Sequence, residues 1–364
     1  MNVSIVPMGQ CLVAILALFL VSPPAATAGE LYAGAASVSI TPDKPVALSG
    51  QLHTRIATET SSAVTANALA LEVRSDGAVV DQAIMVSCDL VAIREGILDM
   101  ARQRIKDQIA DFDPSKLVLS ATHTHTAPVT EIGAYEIPHD GAMQPEEYVE
   151  FLADRIAEAT VLAWNARKPA SAGWGLGHAV VALNRRSVYA DGRAQMYGPT
   201  DAPDFRGIEG GEDHGVEALF FWSGDQQLIA SAVNVACPSQ EVEGLSVIDA
   251  DFWHTVREAL RAKYGKDLVV LGWTGAAGDQ SPHLMYNKRA EERMRELRKL
   301  NRLEELARRI VIGWEEAYDG ARQERHADVA LAHKVQTIEL PLRKITDEEF
   351  AAAKAQVETL SKDP

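Results

Sequence analysis

Residues 117–128 read Leu117-Val118-Leu119-Ser120-Ala121-Thr122-His123-Thr124-His125-Thr126-Ala127-Pro128. The aliphatic start predicts a strand, and function in open α/β sheets concentrates where such strands end. On an extended segment, side chains two residues apart point the same way, so this spacing places the His123 and His125 rings on one face. Two imidazoles on one face can share a divalent metal, or one can bind it while the other moves a proton. The alternative is a pair of surface histidines that hydrogen-bond to hydroxyl groups.

A second polar segment also follows an apolar run and reads Gly272-Trp273-Thr274-Gly275-Ala276-Ala277-Gly278-Asp279-Gln280-Ser281-Pro282-His283. Its small residues let the backbone turn tightly and approach a ligand. Ser281 at such a turn can present its hydroxyl to a substrate, with Asp279 or His283 nearby to orient or deprotonate it. The alternative is a strand-to-helix connection in which Ser281 caps the next helix.

The rest of the chain alternates between two kinds of apolar pattern. Strand-like runs occupy residues 68–73, 83–88, 117–120, 216–222, 228–235 and 268–272. Helix-like spacing marks residues 92–109, 145–166, 251–264 and 288–318. The alternation predicts an α/β fold with a mixed, largely parallel sheet flanked by helices, in a single large catalytic domain. Residues 189–212, rich in Gly, Pro and Asp, are expected to form a long loop.

Charge and composition exclude several function classes. The 364 residues include 35 basic and 51 acidic side chains, which gives a net charge of −16. Nucleic acids and anionic membranes need a basic surface, so we expect neither as a partner. Hydrophobic residues make up 47% of the chain, which is enough for a sizeable core and too much for a disordered protein.

The N-terminal residues resemble an export signal. The first 28 residues carry no charged side chain, and the apolar run 11–21 is too short to cross a bilayer comfortably. Ala26-Thr27-Ala28 is the type of small-residue site that signal peptidase cleaves. We therefore predict a signal peptide over residues 1–28, an exported protein that is periplasmic or secreted, and no stable membrane span in the mature chain. A membrane-anchored form is the alternative.

The order and spacing of several motifs resemble the neutral ceramidases, zinc amidases that hydrolyse N-acyl-sphingosine. The two segments above are the main landmarks, about 150 residues apart. Further likeness lies in the stretches 33–42, 87–90 and 183–186 (Leu-Asn-Arg-Arg). The resemblance covers most of residues 31–340 and is that of a distant bacterial member. It implies a ceramidase-like catalytic domain over residues 29–345, with residues 346–364 as the start of a truncated C-terminal segment.

The resemblance also implies roles for individual residues. His123 matches the first zinc ligand of the family, and His125 matches the neighbouring active-site histidine. Ser281 matches the proposed nucleophile, with Asp279 beside it as a catalytic candidate. Arg185 matches an arginine near the polar head of the substrate, where a guanidinium group can grip a hydroxyl or amide oxygen; a solvated ion pair is its alternative. His53 stands where the family has a glycine-rich active-site turn, with its role left open.

Two departures from the family concern the metal. Cys237, before Pro238, occupies the place of the second zinc histidine, and a thiolate is a good zinc ligand. The alternatives are a buried free cysteine, or replacement of that ligand by Glu241, Asp251 or His254. The family's remaining ligands, a Glu and a Tyr, lie further along the chain than residue 364. The expected cofactor is one zinc ion per chain in an incomplete shell.

These features predict an exported zinc-dependent hydrolase of an amide (N-acyl) bond, with His125 as proton shuttle and Ser281 as nucleophile or oxyanion donor. A catalytically degenerate ligand-binding protein and a metal-free serine esterase are the alternatives. The substrate is expected to be a lipid acyl amide, as in the family, or a smaller acyl amide. The smaller substrate is considered because an aromatic content of 6% and a net charge of −16 give no sign of a membrane-docking face.

The cysteines supply a last prediction. Cys88 and Cys237 could pair in an oxidising compartment, but a disulfide would remove Cys237 from the site. We predict that Cys237 is reduced and points into the cleft of His123, His125 and Ser281, while Cys88 packs as a buried apolar residue.

Overall fold

The structure is a computed structural model, and it describes residues 27–362. The predicted signal peptide falls almost wholly on residues 1–26, outside the described residues. Within residues 27–362, no helix is long and apolar enough to cross a bilayer.

The described chain contains strands and helices in mixed order. The strands are β1 (Ala28–Ser39), β2 (Val46–Ala47), β3 (Ile56–Ala57), β4 (Thr65–Ser75), β5 (Ala78–Cys88), β6 (Leu117–Ala121), β7 (Lys168–His178), β8 (Leu183–Asn184), β9 (Arg186–Tyr189), β10 (Ala194–Met196), β11 (Phe205–Ile208), β12 (Gly215–Ser223), β13 (Leu228–Val235), β14 (Val269–Thr274), β15 (Gln280–Ser281) and β16 (Asp328–Ala330). The α-helices are α1 (Ile97–Lys106), α2 (Pro145–Asn165), α3 (Phe252–Tyr264), α4 (Lys288–Arg298), α5 (Arg302–Ala321) and α6 (Asp347–Leu360).

One nine-stranded sheet dominates the fold, in the order β14-β13-β12-β7-β1-β4-β5-β6 with β16 beside β1. The predicted mixed α/β architecture is confirmed, but the expectation of a largely parallel sheet is wrong. Only β5 with β6 and β13 with β14 are parallel, and the other pairs are antiparallel. For one of these pairs the cause is local: Asp76 and Gly77, both at positive φ, make a two-residue turn between β4 and β5, which forces a hairpin.

The sheet folds back on itself, so that its two halves face each other between layers of helix. Helices α1 and α2 cover the half with β1 and β4–β6, while α3 and α5 cover the half with β7 and β12–β14. An inner apolar cluster that includes Leu69, Phe221 and Leu271 fills the space between the halves. Helix, sheet, sheet and helix therefore form four layers.

Two predicted elements are corrected. The helix expected over residues 288–318 is two helices, because Lys299 adopts a left-handed conformation and Asn301 starts α5 with a capping box to Glu304. The loop expected over residues 189–212 contains β10 and β11, which pair with β9 in a small three-stranded sheet. That small sheet forms part of the site described below.

The two parallel strand pairs bring the two sequence motifs together. The strands β6 and β14 each follow a crossover helix, and both end at the same side of the layered core. Ser87 donates a 2.6 Å hydrogen bond to the carbonyl of Gly272, and Thr274 donates one of 3.1 Å to the carbonyl of Thr122. The histidine segment and the Ser281 segment therefore start from neighbouring strand ends.

The described residues separate into two compact units, residues 27–333 and 334–362. The first unit holds all the layers above. In the second, α6 begins at the capping box of Thr346 and Glu349, and none of its residues is buried.

Candidate active site

His123 lies just beyond β6 in a backbone conformation that is rare for a residue with a side chain, with φ of 63°. Its Nδ1 atom is 2.7 Å from the carbonyl oxygen of Val91, so Nδ1 carries the proton and Nε2 keeps its lone pair. Burial lowers the pKa of the ring, and the positive neighbours Arg185 and Arg94 lower it further. His123 is thus held as a neutral imidazole.

His125 faces His123. The two Nε2 atoms are 3.4 Å apart, and the ring centroids are separated by 5.0 Å. The prediction that the rings meet is confirmed, although its reason is not: the segment turns at His123 instead of continuing as an extended strand. The Gln240 side-chain amide, 2.7 Å away, donates to His125 Nε2, which leaves the proton on Nδ1.

Glu243 connects His125 to a third imidazole. One carboxylate oxygen lies 3.1 Å from His125 Nδ1, and the other lies 3.4 Å from Nε2 of His283. Burial opposes ionisation of Glu243, but contact with His125 outweighs it and lowers the pKa of the carboxyl. His283 Nε2 also donates a 2.6 Å hydrogen bond to the backbone carbonyl of Gln240. An ionised carboxylate therefore lies against two rings at once.

Gly50 forms the turn that supports His125. A Cβ atom at this position would come within 2.3 Å of the imidazole Cγ, and φ is +102°. Tyr135 braces the turn by accepting from the Gly50 amide at 3.1 Å and donating to the Gln51 carbonyl at 2.8 Å. The candidate residue on this loop, His53, is instead exposed and makes no hydrogen bond within the described residues. The glycine, and not His53, meets the active-site ring.

Ser281 is fully buried and accepts two hydrogen bonds. The His283 amide and the Tyr197 hydroxyl both donate to its Oγ atom, each at 3.1 Å. Arg185 stands behind Tyr197, with one guanidinium nitrogen 3.4 Å from the phenol oxygen and another 2.8 Å from the carbonyl of Gly278. Within residues 27–362, no imidazole nitrogen or carboxylate bonds to the serine oxygen. The structure places Ser281 and Arg185 together but gives the serine no adjacent base.

Asp279 has a different task from the one predicted. Its carboxylate accepts from the side chain of Asn184 at 2.9 Å, and its carbonyl accepts from the Arg185 amide at 2.8 Å. No contact joins it to Ser281 Oγ. It fixes the Asn184-Arg185 strand against the serine turn instead of orienting the serine.

Cys237 is reduced, as predicted, and so is Cys88. Its position in the cleft is a wrong prediction. The Cys237 thiol is buried in the apolar cluster under α3 and α5, where its acceptors are the carbonyls of Val181 at 3.9 Å and Pro238 at 3.5 Å. Burial raises the thiol pKa well above its ordinary value, so the thiolate needed for zinc is disfavoured. Cys237 behaves as a small apolar residue.

Two of the three other residues considered for the missing ligand have structural partners. Glu241 pairs with Arg302 at 3.2 Å. Asp251 caps α3 and accepts from the amides of Phe252 at 2.8 Å and Val242 at 2.9 Å. Among residues 27–362, no three His, Cys, Asp or Glu side chains converge as a metal site would require.

A cavity of about 880 Å³ opens beside Ser281. Tyr197 and His283, both bonded to the serine, form part of its wall, and the rest comes from residues 198–201 and 284–290. The volume suits a small organic ligand.

Three site residues escaped the sequence analysis: Tyr197, Gln240 and Glu243. None lies in a motif with chemistry of its own. Tyr197 sits in the region expected to be a loop, and the two others follow Pro238 in a turn. Only the tertiary arrangement makes them neighbours of His125 and Ser281.

Comparisons with known proteins identify the fold. No protein-family model matches the chain, and no curated protein sequence matches it. Among solved structures, a ceramidase complexed with C2 aligns with a TM-score of 0.59 and 17% identity over 81% of this chain. The neutral ceramidase from Pseudomonas aeruginosa aligns with a TM-score of 0.60 and 17% identity over the same share. The alignments span 45% and 46% of those longer chains. This chain therefore has the fold of the neutral ceramidase structures, as its motifs predicted.

Proposed function

We propose that this protein is an exported, ceramidase-like hydrolase that cleaves an amide bond of an N-acyl compound with the help of zinc. The observation that carries the proposal is the link between the His123–His125 pair and the Ser281–Tyr197–Arg185 group. Glu243 contacts His125 and His283, and the His283 amide donates to Ser281. Both groups lie at strand ends of a fold shared with two solved ceramidases. Export rests on the apolar run and the small-residue site in residues 1–28.

The imidazole pair, and not Cys237, fits a divalent cation. Both Nδ1 atoms face acceptors, and the two unprotonated Nε2 atoms stand 3.4 Å apart. The lone pair of His125 Nε2 accepts from the Gln240 amide at 2.7 Å, so a cation would have to displace that amide. Two nitrogen ligands of a tetrahedral zinc ion, each about 2.0–2.1 Å from it, stand about 3.3 Å apart. His123 and His125 would hold the ion, and the partners at Nδ1 would fix their tautomers. These are two ligands of a four-ligand shell. Bound zinc would polarise a carbonyl and acidify a water molecule.

The chain's own residues supply orientation and proton handling. Glu243 is ionised beside two imidazoles and can hold the proton of either ring. The Tyr197 hydroxyl and the Arg185 guanidinium are donors next to Ser281, where they can bind the oxygen of an acyl group. Because no base among residues 27–362 lies at hydrogen-bond distance from Ser281 Oγ, the resting geometry favours the serine as an oxyanion donor over the serine as a nucleophile.

The substrate class is an acyl amide, either an N-acyl sphingoid base or a shorter N-acyl amine. The two structural neighbours are ceramidases by name, which favours a lipid amide. The cavity beside Tyr197 would receive one end of the substrate, with the amide at Ser281.

Hydrolysis assays with N-acyl sphingoid bases and short N-acyl amines test the proposal on the full chain. We expect amine release that stops with a zinc chelator and returns with added zinc. The His123→Ala variant should lose hydrolysis and bound zinc, while His139→Ala should keep both. His139 is an exposed histidine that lies outside both motifs.

The other outcomes separate the parts of the proposal. Hydrolysis that survives chelation would refute zinc dependence and favour a metal-free esterase or amidase. A folded protein that hydrolyses no acyl amide would refute the enzyme and favour a ligand-binding role on the same fold. That outcome would agree with the finding that no three metal-binding side chains converge among residues 27–362.

A further inference from the structure

Arg55 is a buried cation whose hydrogen bonds go only to backbone carbonyl oxygens. It is 5% exposed, and one terminal nitrogen donates to Glu243 at 2.7 Å and to Leu245 at 2.5 Å. The other donates to Ser49 at 2.8 Å and to His125 at 2.6 Å. Among the described residues, no carboxylate lies within ion-pair distance of its guanidinium. The bonds reach three segments that are distant in sequence.

This arrangement differs from an ordinary buried ion pair. A buried charge is costly unless its hydrogen bonds are satisfied. Here main-chain carbonyls of the site satisfy the two terminal nitrogens, while Nε has no partner among the described residues. Two of the four carbonyls belong to the residues whose side chains form the 3.1 Å contact, His125 and Glu243. A third belongs to Ser49, next to the glycine that packs against the His125 ring. The planar fork of the guanidinium sets the directions of both pairs of bonds.

The backbone of Arg55 is itself fixed. Its carbonyl accepts from the Leu48 amide at 2.8 Å, and β3 starts at the next residue and pairs with β2. The guanidinium therefore projects from a hydrogen-bonded hairpin towards the site. A change in its length or shape would move the His125 segment and the Glu243 turn independently.

We propose that Arg55 is the positioning residue that sets the distance between the His125 ring and the Glu243 carboxylate. The inference rests on the proposed hydrolase function for its effect on turnover, and on the geometry alone for its effect on the ring. Arg55 touches no reacting atom and acts through the two backbone segments that it joins.

The test compares Arg55→Lys with the matched control Arg102→Lys in the full-length protein. Arg102 also donates from one terminal nitrogen to two carbonyls, those of Ser115 at 2.9 Å and Leu117 at 3.2 Å, on the opposite side of β6 from the histidine turn. Lysine keeps the positive charge but lacks the planar guanidinium group that bonds to both pairs of carbonyls. We expect Arg55→Lys to lower kcat about 10- to 100-fold with KM changed less than about threefold, because sub-ångström misplacement acts on turnover. The control should keep both constants.

Two further measurements keep the proposal independent of folding and of substrate choice. Millimolar guanidinium should restore turnover to Arg55→Ala at least several-fold, because the vacated space matches the ion. The ring-proton NMR resonance of His125, assigned with His125→Gln, should move in Arg55→Lys and stay in Arg102→Lys.

An unmoved His125 resonance in a folded Arg55→Lys protein would overturn the inference, as would an equal loss of kcat in both arginine variants. Failure of the proposed function has a different signature. The wild-type protein would then hydrolyse no acyl amide, while the resonance comparison would still decide whether Arg55 positions the ring.

Discussion

Asp251 provides a quantitative test of the packing around the site. Its carboxyl group is buried at the start of α3, on a backbone with φ of 54°, and it accepts two amide hydrogen bonds. Those bonds favour the ionised form, but desolvation outweighs them, and the neighbouring Glu241 and Asp249 add repulsion. The pKa of the carboxyl therefore rises from 3.8 to about 7.

The direction of the pH effect follows from proton binding. Between the unfolded pKa and the folded pKa, the native state holds a proton that the unfolded state has released, so stability falls as the pH rises through this window. One pKa unit corresponds to about 1.36 kcal/mol. With pKa values of about 7 and 3.8, raising the pH from 5 to 8 costs about 2.6 kcal/mol of unfolding free energy through this group alone.

The perturbation is Asp251→Asn, assayed by urea unfolding at pH 5, 6, 7 and 8. Asparagine tolerates positive φ and keeps one acceptor, but it cannot titrate. Because burial also raises the pKa of Glu241, the wild-type slope alone does not isolate Asp251, so the difference between the two proteins is the quantity to use. The unfolding free energy of the variant minus that of wild type should be about 2.6 kcal/mol larger at pH 8 than at pH 5.

The exposed change Asp99→Asn controls for the general loss of one negative charge. A wild-type minus Asp251→Asn difference that varies by less than about 0.5 kcal/mol between pH 5 and 8 would refute the reasoning. Desolvation would then not dominate this carboxyl, and its two amide hydrogen bonds would set its ionisation.

Three further experiments probe Gly50, the buried Arg257–Asp89 ion pair and Ser281. Gly50→Ala should abolish hydrolysis in a folded protein, because the added Cβ meets the imidazole at 2.3 Å, whereas Gly141→Ala, also at positive φ but with free space around it, should keep activity when assayed in parallel. Arg257→Met should lower the unfolding free energy by about 3–5 kcal/mol in urea titration, because it leaves Asp89 buried without its 2.7 Å partner; a loss below about 1 kcal/mol would contradict this. Ser281 should resist a fluorophosphonate probe by mass spectrometry, because it is buried and has no adjacent base, and stoichiometric labelling would establish it as an activated nucleophile.

The sequence predicted the elements that have strong periodicity. Helix α2 runs over Pro145–Asn165 against an expected 145–166, and the apolar runs at residues 216–222 and 228–235 are strands. These segments carry their own signal, because a buried face repeats along each of them.

Strand β7 shows why other elements escaped. Its sequence contains Gly173, Gly175 and Gly177, a composition that argues against a strand. In the structure, a Cβ on Gly175 would lie 2.3 Å from the carbonyl of Ala317, and one on Gly177 would lie 1.9 Å from that of Gly313. The glycines let α5 lie directly on the sheet. The glycines are needed because α5 packs closely on β7, and no local pattern in β7 reveals that contact.

The candidate site shows the same contrast between residues with a local sequence signal and residues without one. His123, His125, Ser281 and Arg185 were found because each stands in a motif, and the structure links all four through a chain of contacts. The partners that determine what those side chains can do come from turns with no motif. Gln240 fixes the tautomer of His125, Tyr197 occupies a lone pair of the serine, and the thiol of Cys237 is buried in the core.

The withdrawal of Cys237 changes the chemistry that the site can support. A ligand set of one imidazole and one thiolate would have required a deprotonated sulfur in an apolar cluster, where burial holds the proton on the thiol. The paired imidazoles avoid this cost, because burial keeps His123 neutral and therefore available as a ligand. Desolvation therefore disfavours the Cys237 thiolate as a ligand and favours the neutral His123 ring as one. A metal at this site is thus expected to bind to nitrogen first, and Cys237→Ser should leave zinc content unchanged while His125→Ala lowers it, which metal analysis of the two purified variants decides.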